Sequence, residues 1–144
     1  MTRWGQILIL LALGLAWNAY AQDQDLESCD PLLVEKLMII QNSDAKLDFD
    51  GIYLLVKGQG KNVNCTFQVE DQIVSPLLFA VSHMEVRLVD LLLSQGADPN
   101  FVQPERNVTP LARAAWKSAN KPHDQPDWKD NFLIANYLIQ HGRL

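Results

Sequence analysis

The residues best able to do chemistry in this 144-residue chain are two cysteines, three histidines and a short run of aspartates. Cys29 and Cys65 form an even pair, and in a chain bound for an oxidising compartment such a pair favours a disulfide over two free buried thiols. Closing so long a loop would stabilise the fold by roughly 3–4 kcal/mol, less any native strain. A catalytic thiol is disfavoured, because there is no CxxC spacing and no histidine close in sequence to either cysteine. His83, His123 and His141 are scattered without the spacing a zinc site needs. His141 falls in the last turn of a predicted helix, where a cation suits the helix dipole. Asp44, Asp48 and Asp50 precede Gly51 in the manner of a calcium loop, but the later bidentate glutamate is missing, so they read as a solvated helix connection. Nucleophile elbow, paired-histidine helix, phosphate loop and dinucleotide fingerprint are all absent from the sequence. The expectation is a protein that is not an enzyme and needs neither metal nor cofactor.

The compartment is read from the first 21 residues. Arg3 supplies a positive start, Ile7 to Leu15 is almost wholly aliphatic, and Ala19-Tyr20-Ala21 places small residues where a signal peptidase inspects them. Cleavage is expected before Gln22. The apolar stretch from Ile7 to Trp17 is short against the roughly 20 residues a bilayer requires, which argues against a retained anchor. Neither cysteine follows the cleavage site, so lipid anchoring is not expected. Residues 22–144 then form a single domain of ordinary size, exported and soluble, and periplasmic in a bacterium. All 17 acidic residues lie in that part while one of the 12 basic ones is removed, giving a mature net charge of about −6. Such a charge disfavours nucleic acid and anionic membrane surfaces, and would steer the protein towards a basic partner.

Internal repetition organises what remains. Leu91-Leu92-Leu93-Ser94-Gln95-Gly96-Ala97-Asp98-Pro99-Asn100 matches the stretch from Leu55 to Asn64 at an offset of 36, including the Gln-Gly pair and the final Asn. A weaker copy, Tyr137-Leu138-Ile139-Gln140-His141-Gly142, lies near the end of the sequence. Each reads as an apolar helix stopped by a glycine in the left-handed region. A second helix precedes each of these, announced by Asp30-Pro31-Leu32, Ser75-Pro76-Leu77 and Thr109-Pro110-Leu111. The short polar side chain caps orphan N–H groups, and proline at the first helical position sacrifices no hydrogen bond.

On these residues the chain resembles the ankyrin-repeat family. Gly96-Ala97-Asp98-Pro99-Asn100 and Thr109-Pro110-Leu111-Ala112-Arg113-Ala114-Ala115 are similar to its two signatures, and Ser75 to Thr109 is 34 residues, one more than the family period. The resemblance runs from about Asp30 to Leu144 and is close over Ser75–Ala115. It implies an all-α solenoid of about three helix-pair units with projecting hairpin loops, the first and last units degenerate. Leu78 and Ala112 stand where family members usually carry a histidine, and an insertion, Ser118–Trp128, separates the last two helices. With Pro122 and Pro126 inside it, no helix can run through, and an exposed loop is expected.

The family implies binding to another protein through the hairpins and the inner helices. The hairpin tips are expected at Gln68–Gln72 and Gln103–Arg106, bringing Gln68, Glu70, Asp71, Glu105 and Arg106 to the surface, with Asp124 and Asp127 added by the insertion. Trp128 is the preferred aromatic anchor, or else packs the insertion against the last helices; Trp116 suits anchoring and core packing equally. Small exported proteins of this kind resemble periplasmic immunity proteins that neutralise phospholipase effectors of type VI secretion. The alternative is a general periplasmic adaptor or stress-protection protein without a toxin partner. The sequons Asn64-Cys65-Thr66 and Asn107-Val108-Thr109 are read structurally, as disulfide partner and helix cap. The exported protein is expected to begin at Gln22; an intact mass that retains Met1–Ala21 would contradict the leader assignment.

Overall fold

A computed structural model describes residues 27–42, 44–120 and 128–142. The expected leader, and Asp124 and Asp127 of the insertion, lie outside the described residues, as does the side chain of Trp128. In chain order the elements are α1 (Pro31–Met38), a 3-10 turn (Ile39–Gln41), α2 (Phe49–Tyr53) running into a π-helical turn (Leu54–Gly58), β1 (Phe67–Val69), β2 (Gln72–Val74), α3 (Pro76–Ser82), α4 (Val86–Ser94), α5 (Pro110–Ala119) and α6 (Trp128–His141).

Local chemistry starts the helices. Asp30 Oδ1 accepts from Leu32 N–H at 3.0 Å, Ser75 Oγ from Leu78 N–H at 3.1 Å and Thr109 Oγ1 from Ala112 N–H at 3.1 Å, each just ahead of a first-turn proline. Asp48 caps α2 by accepting from Gly51 N–H at 2.9 Å and pairs with Lys36 Nζ at 2.6 Å, so this aspartate serves a helix start. Gly96 (φ +87°) ends α4 in the left-handed region, and Ala97 N–H reaches back to Leu92 O at 2.9 Å. Gly60 (φ +64°) closes the first copy, where Lys61 N–H reaches Leu55 O at 3.0 Å. That bond spans one residue more than its counterpart, because the π turn has taken up an extra residue. Gly142 departs from the expected pattern: its backbone is not left-handed, and a side chain there would crowd Leu138 O at 2.9 Å. Close approach, rather than φ, requires this glycine. The insertion is also shorter than expected, since α5 continues through Ser118 to Ala119.

The all-α expectation needs correction at the first hairpin. Phe67 pairs with Val74, Gln68 with Ile73 and Val69 with Gln72 in an antiparallel two-stranded sheet. Phe67 and Val74 are buried and Gln68 is exposed, the alternation a one-sided strand imposes. Among the helices, α3 packs on α4 and α5, α4 on α6, and α5 on α6. Two helix pairs therefore stack inner on inner and outer on outer. A regular third unit of the solenoid is not established, because the first pair, α1 on α2, is shorter and irregular. It is joined to the stack by particular contacts. Asn64 donates to Gly96 O at 2.9 Å and accepts from Asp98 N–H at 2.7 Å, Arg87 lies 4.1 Å over the Phe49 ring, and Phe67 meets Phe79 edge-on at 5.3 Å.

Cys29 and Cys65 are disulfide-bonded, with Cα atoms 4.8 Å apart. Around the bridge, Cys29 N–H donates to Thr66 O at 2.9 Å and Thr66 N–H to Glu27 O at 2.7 Å, which lays the segment before α1 along the approach to β1. Cys65→Ser is expected to lower stability by about 2–5 kcal/mol, the range for native bridges. Denaturant unfolding under oxidising conditions checks this; an unchanged midpoint contradicts it. Acid should act through two caps. The Lys61 ammonium beside Asp30, with the Leu32 N–H, holds that carboxyl below the usual 3.8, and Lys36 with the Gly51 N–H does the same for Asp48. Both folded-state values are depressed, so the stability they lend is present above about pH 4 and lost as pH falls through them. The Asp30→Asn, Asp48→Asn double variant should melt with a shallower pH dependence below pH 4 than the parent.

Candidate protein-binding surface

Two loops and one helix assemble the exposed face. In the first hairpin Glu70 adopts φ +55° to turn the chain, and Gln68 Nε2 donates to Glu70 O at 3.1 Å. Gln68, Glu70 and Asp71 are all exposed at this tip, and neither carboxylate is ion-paired among the described residues. The second loop closes through Gln103 and Val108, with Asn107 at φ +52°, a conformation asparagine tolerates. It leans on the first hairpin: Glu105 Oε1 accepts from Ile73 N–H at 3.2 Å, and the Gln72 and Gln103 amides lie 3.2 Å apart. Gln103 is fully buried, so the expected second tip is shorter by that residue, and Pro104, Glu105 and Arg106 are its exposed members. Glu105 thus has a structural duty, fixing the spacing of the two loops.

Behind the second loop, Arg106 and Val108 face Ala112, Arg113 and Trp116 of α5 across an open groove of about 490 Å³. Positions 112, 113 and 116 share one helix face, as residues three and four apart do. With its amide oxygen turned towards the loop, Gln72 accepts from Arg106 Nε at 3.2 Å. Arg113 is half-buried, and its Nε is shielded from solvent without a hydrogen-bond partner. Trp116 is 58% exposed. Composition did not distinguish this tryptophan from a core residue, and Arg113 was not anticipated at all, although its spacing from Trp116 could have drawn attention to that face.

The repeat register explains the exposure. Leu77 in α3, a helix packed on α4 and α5, is 1% exposed, whereas the equivalent Leu111 in α5 is 39% exposed. Leu93 of α4 and Ile139 of α6 differ in the same way, 4% against 44%. Phe132 of α6 is also exposed, at 66%. His83 serves packing, with its ring 4.3 Å from that of Phe79 and Nδ1 2.9 Å from Phe79 O. Among the described residues no cluster of histidine, cysteine, aspartate and glutamate could hold a metal ion, and no helix is long and apolar enough to cross a membrane.

Residues 74–103 match the family model of the ankyrin repeat. The matched segment takes in Val74, α3, α4 and the chain to Gln103, the part whose Gly96-Ala97-Asp98 turn and capped Ser75-Pro76 start are described above. Neither a curated protein nor a solved structure matches the chain. Ankyrin repeats bind other proteins and are generally non-enzymatic, so the repeat marks the chain as carrying an interaction module. Stability and surface should separate by mutation. Trp116→Ala is expected to unfold within about 0.5 kcal/mol of the parent, as exposed positions usually do, whereas Leu92→Ala in the buried face of the ankyrin repeat should cost about 2–5 kcal/mol. Chemical denaturation measures both; a large loss at Trp116 would mean that the tryptophan is structural.

Proposed function

We propose that this chain is an exported protein-binding module that captures and neutralises a toxic secretion effector of the phospholipase type in the bacterial periplasm. The observation that carries the binding part is the open face of the last helix pair: α5 and α6 expose apolar side chains at positions that the ankyrin repeat before them keeps covered. Exposed apolar surface rimmed by polar loops suits protein recognition. The leader-like first 21 residues and the disulfide favour an oxidising compartment outside the cytoplasm. A small chain without catalytic motifs suits a stoichiometric inhibitor.

The hairpin tips supply Gln68, Glu70 and Asp71, with Glu105 and Arg106 beside them, and the insertion adds Asp124, Asp127 and the anchor Trp128. Rim carboxylates of this kind act mainly on the rate of encounter. Glu70→Gln with Asp71→Asn should slow association and weaken its salt dependence, while Trp128→Ala should cost roughly 2 kcal/mol or more in binding. A Trp128→Ala protein that melts normally and binds with full affinity refutes the anchor. Co-purification with a toxin encoded beside this gene, and protection of cells that depends on the leader, test the wider reading. Protection by a leaderless chain would place the site of action elsewhere, and a stoichiometric partner without toxicity would favour a general adaptor.

A further inference from the structure

Building on the protein-binding reading, we infer that the groove between the second loop and α5 is a carboxylate-recognition pocket, taking an aspartate or glutamate from an acidic segment of the partner. The lining sets this specificity. Arg106 and Arg113 bring two guanidinium groups to one groove, and neither is ion-paired with a carboxylate among the described residues. Arg106 is steadied by the neutral Gln72 amide, which leaves its charge uncompensated. The adjacent carboxylate, Glu105, is turned to the first hairpin, where its Oε1 accepts from Ile73 N–H. The Arg113 side chain makes no hydrogen bond or ion pair with any described residue, and its buried Nε lacks an acceptor. The terminal guanidinium nitrogens, unlike Nε, are not shielded among the described residues, and they are the donors that an incoming carboxylate oxygen meets. Local charge here opposes the global balance, since the whole chain carries −5.

Trp116, Val108 and Ala112 determine what flanks the carboxylate. Trp116 presents a broad apolar wall at 58% exposure, and Val108 and Ala112 leave the floor apolar. An acidic side chain next to a leucine or phenylalanine therefore fits better than a polyacidic stretch: the carboxylate bridges the guanidinium groups while the apolar neighbour lies on the indole. Two arginines in a partly desolvated groove favour a planar, two-oxygen acceptor, which the fork geometry of guanidinium matches.

The test uses the full chain as purified from the cells that make it, with blocked peptides as probes. One set carries Glu or Asp between leucines, and the other carries Gln or Asn at the same places. Indole and guanidinium Nε–H resonances, assigned with Trp116→Phe and Arg113→Lys, report on binding. The acidic set should shift the Trp116 and Arg113 signals saturably, the amide set should bind at least tenfold more weakly, and Arg113→Gln should abolish the preference while leaving the melting temperature unchanged. Arg106→Gln, which changes only an exposed loop residue, provides a second variant and should also weaken acidic peptides. Equal binding of the two sets, or a preference that survives both substitutions, overturns the pocket. So does a captured partner protein that binds the parent and Arg113→Gln alike while neither peptide set binds, and this outcome leaves the protein-binding reading standing. Absence of any protein partner for the full chain overturns that reading as well.

Discussion

Burial of α3 is the constraint on which the rest of the structure depends. From Pro76 to Val81 every residue of this helix is buried, so it has no solvent face. A helix apolar on all sides must be covered on all sides, and one of seven residues is far too short to persist alone. Its cover is supplied by α4, by α5, and by the ring of Phe67 from the first hairpin. Even its cap, Ser75, is buried, so the hydrogen bond to Leu78 N–H satisfies groups that water cannot reach. Leu78, standing where a repeat histidine is usual, is 1% exposed and gives this inner helix an apolar contact there.

The two flanks of α3 are covered by different means. On one side α5 and α6 form a regular pair stacked through ordinary apolar burial. On the other, α2 is a five-residue helix followed by a π turn, too little structure to hold itself in place by packing alone. Cross-links compensate: the Cys29–Cys65 bridge, the strap at Thr66, the double hydrogen bond of Asn64 to the next turn, and the Arg87 guanidinium over Phe49. The ion pairs Lys36–Asp48 and Lys61–Asp30 are partly solvated and matter more for helix starts than for total stability. With the first unit tied down covalently and the ankyrin repeat in the middle, the last pair is left with an uncovered face, and there the groove lies beside the exposed Trp116.

What the sequence revealed was what local chemistry determines. A capping side chain followed by proline acts within three residues, so the starts of α1, α3 and α5 were legible without tertiary knowledge, and so was the glycine that ends α4. Two cysteines permit only one intramolecular pairing, which made the bridge readable. The strands of the first hairpin were not, because three residues a side are too few for an alternating pattern to stand out. Gln103 was placed at a tip although it is buried, since its burial comes from the neighbouring hairpin rather than from its own loop. Trp116 could not be told from a core residue for a similar reason: whether an inner-helix side chain is covered depends on what stacks next, which lies far away in sequence. The unpaired state of Arg113 is likewise a property of the assembled surface.

In the proposed function the loops and the α5 face meet the partner while α3 and the outer helix of the ankyrin repeat serve as scaffold. Hydrogen–deuterium exchange of the full chain, free and bound to its captured protein partner, tests this most directly. Binding should slow exchange at residues 68–72 and 104–117 while leaving α4 unchanged. Slowing confined to α2 and α4, with the two loops and α5 exchanging as in the free protein, would contradict it.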